Sequence, residues 1–296
     1  MRYTSVLRSI FLSLVLAVCC FGAEPAKLDT STPIGLAFAR LYNFDFPGAY
    51  RILDHLIQQD PHDPLPYSVK AVAYLFSEMD RLKILELEFF EDDDKVVTRQ
   101  KLVPDPKLRA DFFRLLGVAR ETANARLASQ PEDRDSLFAL CIAVGLETDY
   151  AALIERRRFG SFLLARQAQV YIRRLQALTP PVYDGYLATG TLEYVIGSIP
   201  FYFRWLVHID NVSGNKQKGI ETLQLVAEKG RYYGPFARVL LATIYMREKQ
   251  FGESERLLAG ISAEFPDNPL FRKELQRVSQ LRGSAGLTSR ASGAAR

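Results

Sequence analysis

Four side chains near the middle of the sequence are of types that often carry binding energy: Tyr202, Arg204, Trp205 and His208. Tryptophan, tyrosine and arginine are enriched at binding hot spots. Arg204 and His208 are four residues apart, so they face similarly on a helix. The four side chains therefore predict a groove that binds a peptide. The alternative interpretation is a buried hairpin, since aromatic side chains also supply large burial.

The residues from Gly214 to Gly219 have the glycine spacing of a phosphate-binding loop. In such a loop a strand precedes the first glycine, and a lysine and a hydroxyl residue follow the second. Here Ile220 and Glu221 follow Gly219, and no strand pattern precedes Gly214. The spacing instead indicates a turn between two helices, in which the two glycines interrupt helical structure.

Residue types suited to metal binding or nucleophilic catalysis are few and poorly spaced. None of the histidines His55, His62 and His208 has a second histidine or cysteine at metal-ligand spacing. Cys141 lies within the apolar stretch SLFALCIAVGL, which favours a small buried residue over a nucleophile. The sequence therefore predicts no catalytic residue, no metal site and no cofactor.

Carboxylates and arginines recur along one part of the chain: Glu147, Asp149, Glu155, Arg156–Arg158, Arg173 and Arg174. This composition is typical of surface ion pairs on a solvated helix face, although the basic residues could also attract an acidic partner. A second hypothesis is an enzyme or enzyme subunit. Its site would lie between the basic helices 156–174 and the stretch Asp184–Gly219, here called the central hairpin.

The first residues have the anatomy of a secretory signal peptide. A basic start, an apolar run and small residues follow in order: Arg2 and Arg8, Ile10–Phe21, and Gly22 and Ala23. The apolar run is shorter than the ~20 residues of a membrane span. We predict a signal peptide over residues 1–23 and export to the periplasm or envelope of a bacterium. The alternatives are an uncleaved N-terminal anchor and a lipid on Cys19 or Cys20.

The charge of the chain does not favour a nucleic-acid partner. The formal net charge is +4, and the predicted signal peptide accounts for two of the arginines and none of the acids. Proteins that bind nucleic acid carry a clustered basic surface. The central hairpin also lacks the lysine-rich polar face of a membrane-surface helix. Envelope assembly with peripheral membrane association is therefore a third and weaker hypothesis.

Apolar residues recur at helical spacing, and no run alternates with the period of two that a half-buried strand requires. Two helical patterns flank residues 43–45, and a third follows Pro64. Further helices are predicted at 107–128, 135–147, 159–178, 215–229, 235–248, 251–264 and 269–281. The predicted fold class is all-α, with a helical domain over 33–281 and a disordered tail over 282–296.

The stretch Pro235–Pro266, PFARVLLATIYMREKQFGESERLLAGISAEFP, resembles a tetratricopeptide repeat. The small, aromatic, second small, apolar and helix-ending positions of that motif are taken by Ala242, Tyr245, Ser254, Leu258 and Pro266. A 34-residue helix–turn–helix unit fits their spacing. The second half of the motif recurs at Ala49, Leu53, Leu56 and Pro61. The resemblance implies helix pairs stacked into a right-handed superhelix, a tetratricopeptide-like α-solenoid.

The central hairpin gives a narrower match, in the order GTLEYVIGSIPFYFRWL…VSGNKQKG. This order resembles the tetratricopeptide repeat protein 39 family, whose eukaryotic members include a yeast factor for clearing protein inclusions. It equally resembles a group of exported bacterial proteins of that architecture. The resemblance implies a repeat scaffold and supplies no catalytic residue.

Two glycines and a proline punctuate the first half of the central hairpin. Gly190 and Gly197 are seven residues apart, so they share one helical face to which a neighbouring helix can come close. Glycine inside a helix costs ~1 kcal/mol relative to alanine, so tight packing is expected to offset it. Pro200 cannot continue that helix but suits the first turn of a new one.

These patterns favour a non-catalytic exported scaffold that binds a protein or peptide partner. Stacked helix pairs present an extended concave surface, and binding there needs no cofactor. The side chains predicted to line this groove are those of the central hairpin, residues 202–208.

Overall fold

The computed structural model of the protein describes residues 27–85, 102–155, 158–199 and 213–294. Over these ranges the regular structure is entirely helical, which confirms the predicted all-α class. The α-helices are α1 Pro33–Tyr42, α2 Phe46–Gln59, α3 Pro64–Arg81, α4 Pro106–Ser129, α5 Arg134–Asp149, α6 Arg158–Ala177, α7 Tyr186–Ser198, α8 Lys216–Lys229, α9 Gly234–Arg247, α10 Phe251–Glu264 and α11 Pro269–Ala294. A π-helix, Tyr150–Ile154, extends α5, and a 3-10 turn, Tyr183–Gly185, precedes α7.

Prolines and short acidic side chains set the start of several helices. Asp45, Asp63, Asp105 and Asp133 precede α2, α3, α4 and α5, and each carboxylate accepts a hydrogen bond from a backbone N–H of the first turn. This satisfies an N–H group that the helix itself leaves unpaired. The first turns of α1 to α4 also contain proline, whose missing N–H is not needed there. These starting signals are local, so the sequence predicts them closely.

The first six helices alternate between two positions in the packing. α1 contacts α3 and α3 contacts α5, while α2 and α4 each pack against the helices on both sides of them in the chain. α6 packs against α5. We call α1, α3 and α5 the inner helices. From α7 to α11 each helix packs against the next one, whereas α6 and α7 pack far less closely.

The glycines of the central hairpin lie where α7 and α8 come closest. A Cβ atom added at Gly219 would lie 2.6 Å from the amide nitrogen of Tyr194. One added at Gly197 would lie 2.6 Å from the amide nitrogen of Lys216, and one at Gly190 would lie 3.0 Å from Leu223 Cγ. The two backbones therefore touch where side chains are absent.

The pair α9–α10 is closely packed at two small residues. Ala242 and Ser254 are fully buried, and the Ser254 hydroxyl donates a 3.0 Å hydrogen bond to the Ala242 carbonyl oxygen. Of the other motif positions in the two resembling pairs, Ala49, Leu53, Tyr245 and Leu258 are buried, and Leu56 is half-buried. The prolines Pro61 and Pro266 follow the ends of α2 and α10.

Two helix ends differ from those that the sequence predicts. α5, predicted to reach about Glu147, continues to Asp149 and then as a π-helix to Ile154, since no glycine or proline interrupts it. The sequence had left open whether the segment after Glu147 continues this helix or the next one. α11 continues past the predicted boundary at Leu281 to Ala294, through the tail predicted to be disordered. That segment contains no proline that would end the helix.

Contacts between distant parts of the chain join the first helix to the turn before the last one. The Tyr42 hydroxyl donates a 2.8 Å hydrogen bond to the carbonyl oxygen of Tyr232. The carbonyl oxygen of Tyr42 accepts one of 2.8 Å from the Asn268 side chain. The ring of Tyr42 also lies 5.0 Å from that of Phe265. The end of α1 therefore contacts the turn between α8 and α9 and the turn between α10 and α11.

Candidate functional site

The binding residues predicted from the sequence lie outside the residues that the structure describes: Tyr202, Arg204, Trp205 and His208, together with Pro200. The predicted signal peptide, residues 1–23, also lies outside them. The structure does describe α7, which leads into the 200–212 segment, and α8, which follows it. In the sequence, α7 and α8 therefore flank the predicted binding residues.

Glu193 on α7 fixes the point where the chain returns to α8. Its side chain is fully buried and accepts hydrogen bonds from the Ser213 N–H (3.1 Å), the Asn215 N–H (3.0 Å) and the Lys218 ammonium (2.7 Å). Burial by itself would raise the pKa of Glu193, but these donors stabilise the carboxylate and lower the pKa to about 2. Glu193 is therefore ionised at neutral pH and has a structural role.

Asp184 holds a second turn, the one between α8 and α9. Its buried carboxylate accepts hydrogen bonds from the backbone N–H groups of Arg231 (2.9 Å), Tyr232 (2.8 Å) and Tyr233 (2.6 Å). Three N–H donors directed at one carboxylate make this turn rigid. The turn thereby presents two tyrosine rings to the inner helices.

Those two rings pack against aromatic side chains of the inner helices α1 and α5. The ring of Tyr232 stacks 5.1 Å from Phe38 of α1 and 5.8 Å from Phe138 of α5. The ring of Tyr233 meets Phe138 edge-on at 5.5 Å. Phe38, Phe138 and Tyr232 are all buried. This part of the predicted groove is therefore occupied by the chain itself, so a peptide partner cannot bind there without displacing the core.

Further along α5 the same face becomes progressively open. Phe138, Cys141, Gly145 and Asp149 follow one another at intervals of three or four residues, so they lie on one side of the helix. Phe138 is buried, Cys141 and Gly145 are half-buried, and Asp149 is exposed. A Cβ atom added at Gly145 would meet no other atom within 4 Å. We call this face, from Cys141 to Asp149, the α5 recess.

The carboxylate of Asp149 forms neither an ion pair nor a hydrogen bond to the residues that the structure describes. Burial nevertheless raises the pKa of Asp149 to about 7, because the charged form is poorly solvated.

The three acidic residues that the sequence placed together have different surroundings. Glu147 pairs with Arg120 of α4 at 2.5 Å, and Glu155 pairs with Arg109 of α4 at 2.8 Å. Asp149 joins neither pair. The predicted surface ion-pair cluster also involved Arg156–Arg158, whose side chains lie outside the described residues, so for Asp149 it stays a prediction. The signal that could have identified Asp149 is its place in the series 138, 141, 145 and 149.

Two other titratable groups near this face of α5, the thiol of Cys141 and the hydroxyl of Tyr233, are uncharged at neutral pH. Burial, and then the charge of Asp184, raise the pKa of the Cys141 thiol to about 12. Burial raises the pKa of Tyr233 well above its ordinary value, and nearby Cys141, Tyr42, Asp184 and Asp149 raise it further. A protonated thiol is a poor nucleophile, and Cys141 also packs against the apolar residues of α5 and α6.

The basic helix α6 offers one exposed arginine and one bound arginine near its end. Arg173 is exposed, whereas Arg174 donates a 2.6 Å hydrogen bond to the carbonyl oxygen of Pro131. Gln176 joins α6 to α7 through a 3.3 Å hydrogen bond to Thr189. The site suggested by the sequence lies between helices 156–174 and the central hairpin. The structure describes only part of it, because residues 156–157 and 200–212 lie outside the described ranges.

The described residues were compared with the requirements of a metal site and of a membrane-spanning helix. No group of three or more histidine, cysteine, aspartate or glutamate side chains there could hold a metal ion. The segment Arg134–Ile154 is long and apolar enough to cross a membrane by length and composition. Most of that segment is buried within the protein, as is usual for the core helix of a globular fold.

Comparison with protein-family models, with characterised proteins and with solved structures found no match.

Proposed function

We propose that this protein is a non-catalytic scaffold that binds a protein or peptide partner through the concave side of stacked helix pairs. The observation that carries the proposal is the open α5 recess, since most of the rest of α5 is buried. Helical-repeat proteins bind partners on such concave surfaces. An open stretch on an inner helix is therefore where a partner can reach the scaffold.

The tetratricopeptide-like architecture is part of this proposal. It is supported by the contacts of α3 with both α1 and α5. The helices α2 and α4, which alternate with them in the sequence, pack against their neighbours on both sides. The buried Ala242–Ser254 contact between α9 and α10 gives further support. We infer that the pairs form a right-handed superhelix whose first half is closed by the rings of Tyr232 and Tyr233.

The binding surface that we propose excludes the inner face around Phe38 and Phe138, because the chain's own tyrosines cover it. It comprises the α5 recess and the predicted residues Tyr202, Arg204, Trp205 and His208. We further propose export to the periplasm or envelope, from the basic, apolar and small residues at the N-terminus.

Cross-linking in the native host, affinity recovery and mass spectrometry test this function. The intact protein is compared with a variant that combines Tyr202→Ala, Arg204→Ala and Trp205→Ala and retains wild-type circular dichroism. We expect a partner that is recovered with the intact protein and lost with the variant. Failure to recover any partner would contradict the scaffold function, and equal recovery with both proteins would remove residues 202–205 from the binding surface.

A further inference from the structure

We draw no further inference here: the strongest candidate, the apolar patch that the half-buried Leu192 and the exposed Val195 form on α7, leads towards residues 200–212, which lie outside the described ranges, and nothing in the structure shows what covers it.

Discussion

Glu193 and Asp149 are acidic residues with opposite electrostatic surroundings. Glu193 is fully enclosed and receives hydrogen bonds from Ser213, Asn215 and Lys218, which lower its pKa to about 2. Asp149 is exposed but unpaired among the described residues, and burial raises its pKa to about 7. The first carboxylate holds the start of α8, whereas the second has no partner among the described residues. Each assignment leads to a stability measurement.

Replacement of Glu193 by glutamine is expected to lower the free energy of unfolding by about 3 kcal/mol near neutral pH. The amide cannot stabilise the Lys218 ammonium, and the N–H groups of Ser213 and Asn215 lose a charged acceptor. Chemical denaturation followed by circular dichroism measures the change. The exposed pair Glu253–Arg256 supplies a matched control, and Glu253→Gln should cost no more than about 0.5 kcal/mol.

The contribution of Glu193 should also depend on pH in a defined direction. The pKa falls from 4.5 in the unfolded chain to about 2 in the fold, so the folded state favours the ionised form. The stabilisation is complete above the unfolded pKa and is lost as the pH falls from 4.5 towards 2. The difference between wild type and Glu193→Gln should therefore shrink on acidification. A constant difference over this range would contradict the assigned role.

Replacement of Asp149 by asparagine is expected to have the opposite effect. Because the folded state holds the proton of Asp149 more tightly than the unfolded chain, ionisation of this group destabilises the fold as pH rises through about 7. Asp149→Asn should therefore be more stable than wild type at alkaline pH, and the gain should disappear below the unfolded pKa of 3.8. Paired denaturation curves across this range measure it. A destabilised variant at alkaline pH would show that Asp149 already has a partner.

At the scale of the helices, the glycines of α7 and α8 determine how closely these two elements pack. Gly219→Ala would place a Cβ atom 2.6 Å from the Tyr194 amide nitrogen, so the helices must separate. We expect a loss of about 2 kcal/mol in the free energy of unfolding, typical of overpacking. Gly117→Ala on the exposed side of α4 meets no neighbour and should instead stabilise by about 0.5 to 1 kcal/mol. Equal effects at the two positions would exclude the close helix contact.

The helices were largely predictable because their signals are local. Aspartate caps and prolines mark the starts of α2 to α5, and the predicted bounds of α10 agree with the structure. The end of α11 was missed because composition, not a stop signal, suggested that order ended at Leu281. The packing of Tyr232 and Tyr233 against the inner helices was also not predicted. Helical periodicity does not say that a turn between α8 and α9 packs on Phe38 and Phe138.

The candidate site was less predictable than the fold for the same reason. The spacing of residues 138, 141, 145 and 149 was visible, but which part of that face is covered depends on a turn some ninety residues later. The isolation of Asp149 likewise depends on Glu147 and Glu155 finding arginines on α4. The aromatic and basic residues 202–208 remain a prediction, because they lie outside the described ranges.

At the scale of the whole molecule, the turn between α8 and α9 covers part of the inner helices, whereas α5 from Cys141 to Asp149 is less covered. Tyr42 joins the first helix to Tyr232 and to Asn268 before the last helix. Tyr232 and Tyr233 fill the space beside Phe38 and Phe138. We propose that a partner binds at the α5 recess and not to the inner helices as a set.

Site-specific photo-cross-linking in the native host tests that claim most directly. A benzophenone amino acid is placed at Gly145 in the recess or at Gly117 on the exposed side of α4, both positions where an added side chain meets no neighbour. We expect the partner recovered with the intact protein to cross-link from position 145 and not from position 117. Cross-linking from position 117 alone, or from neither position while the partner still co-purifies, would contradict it.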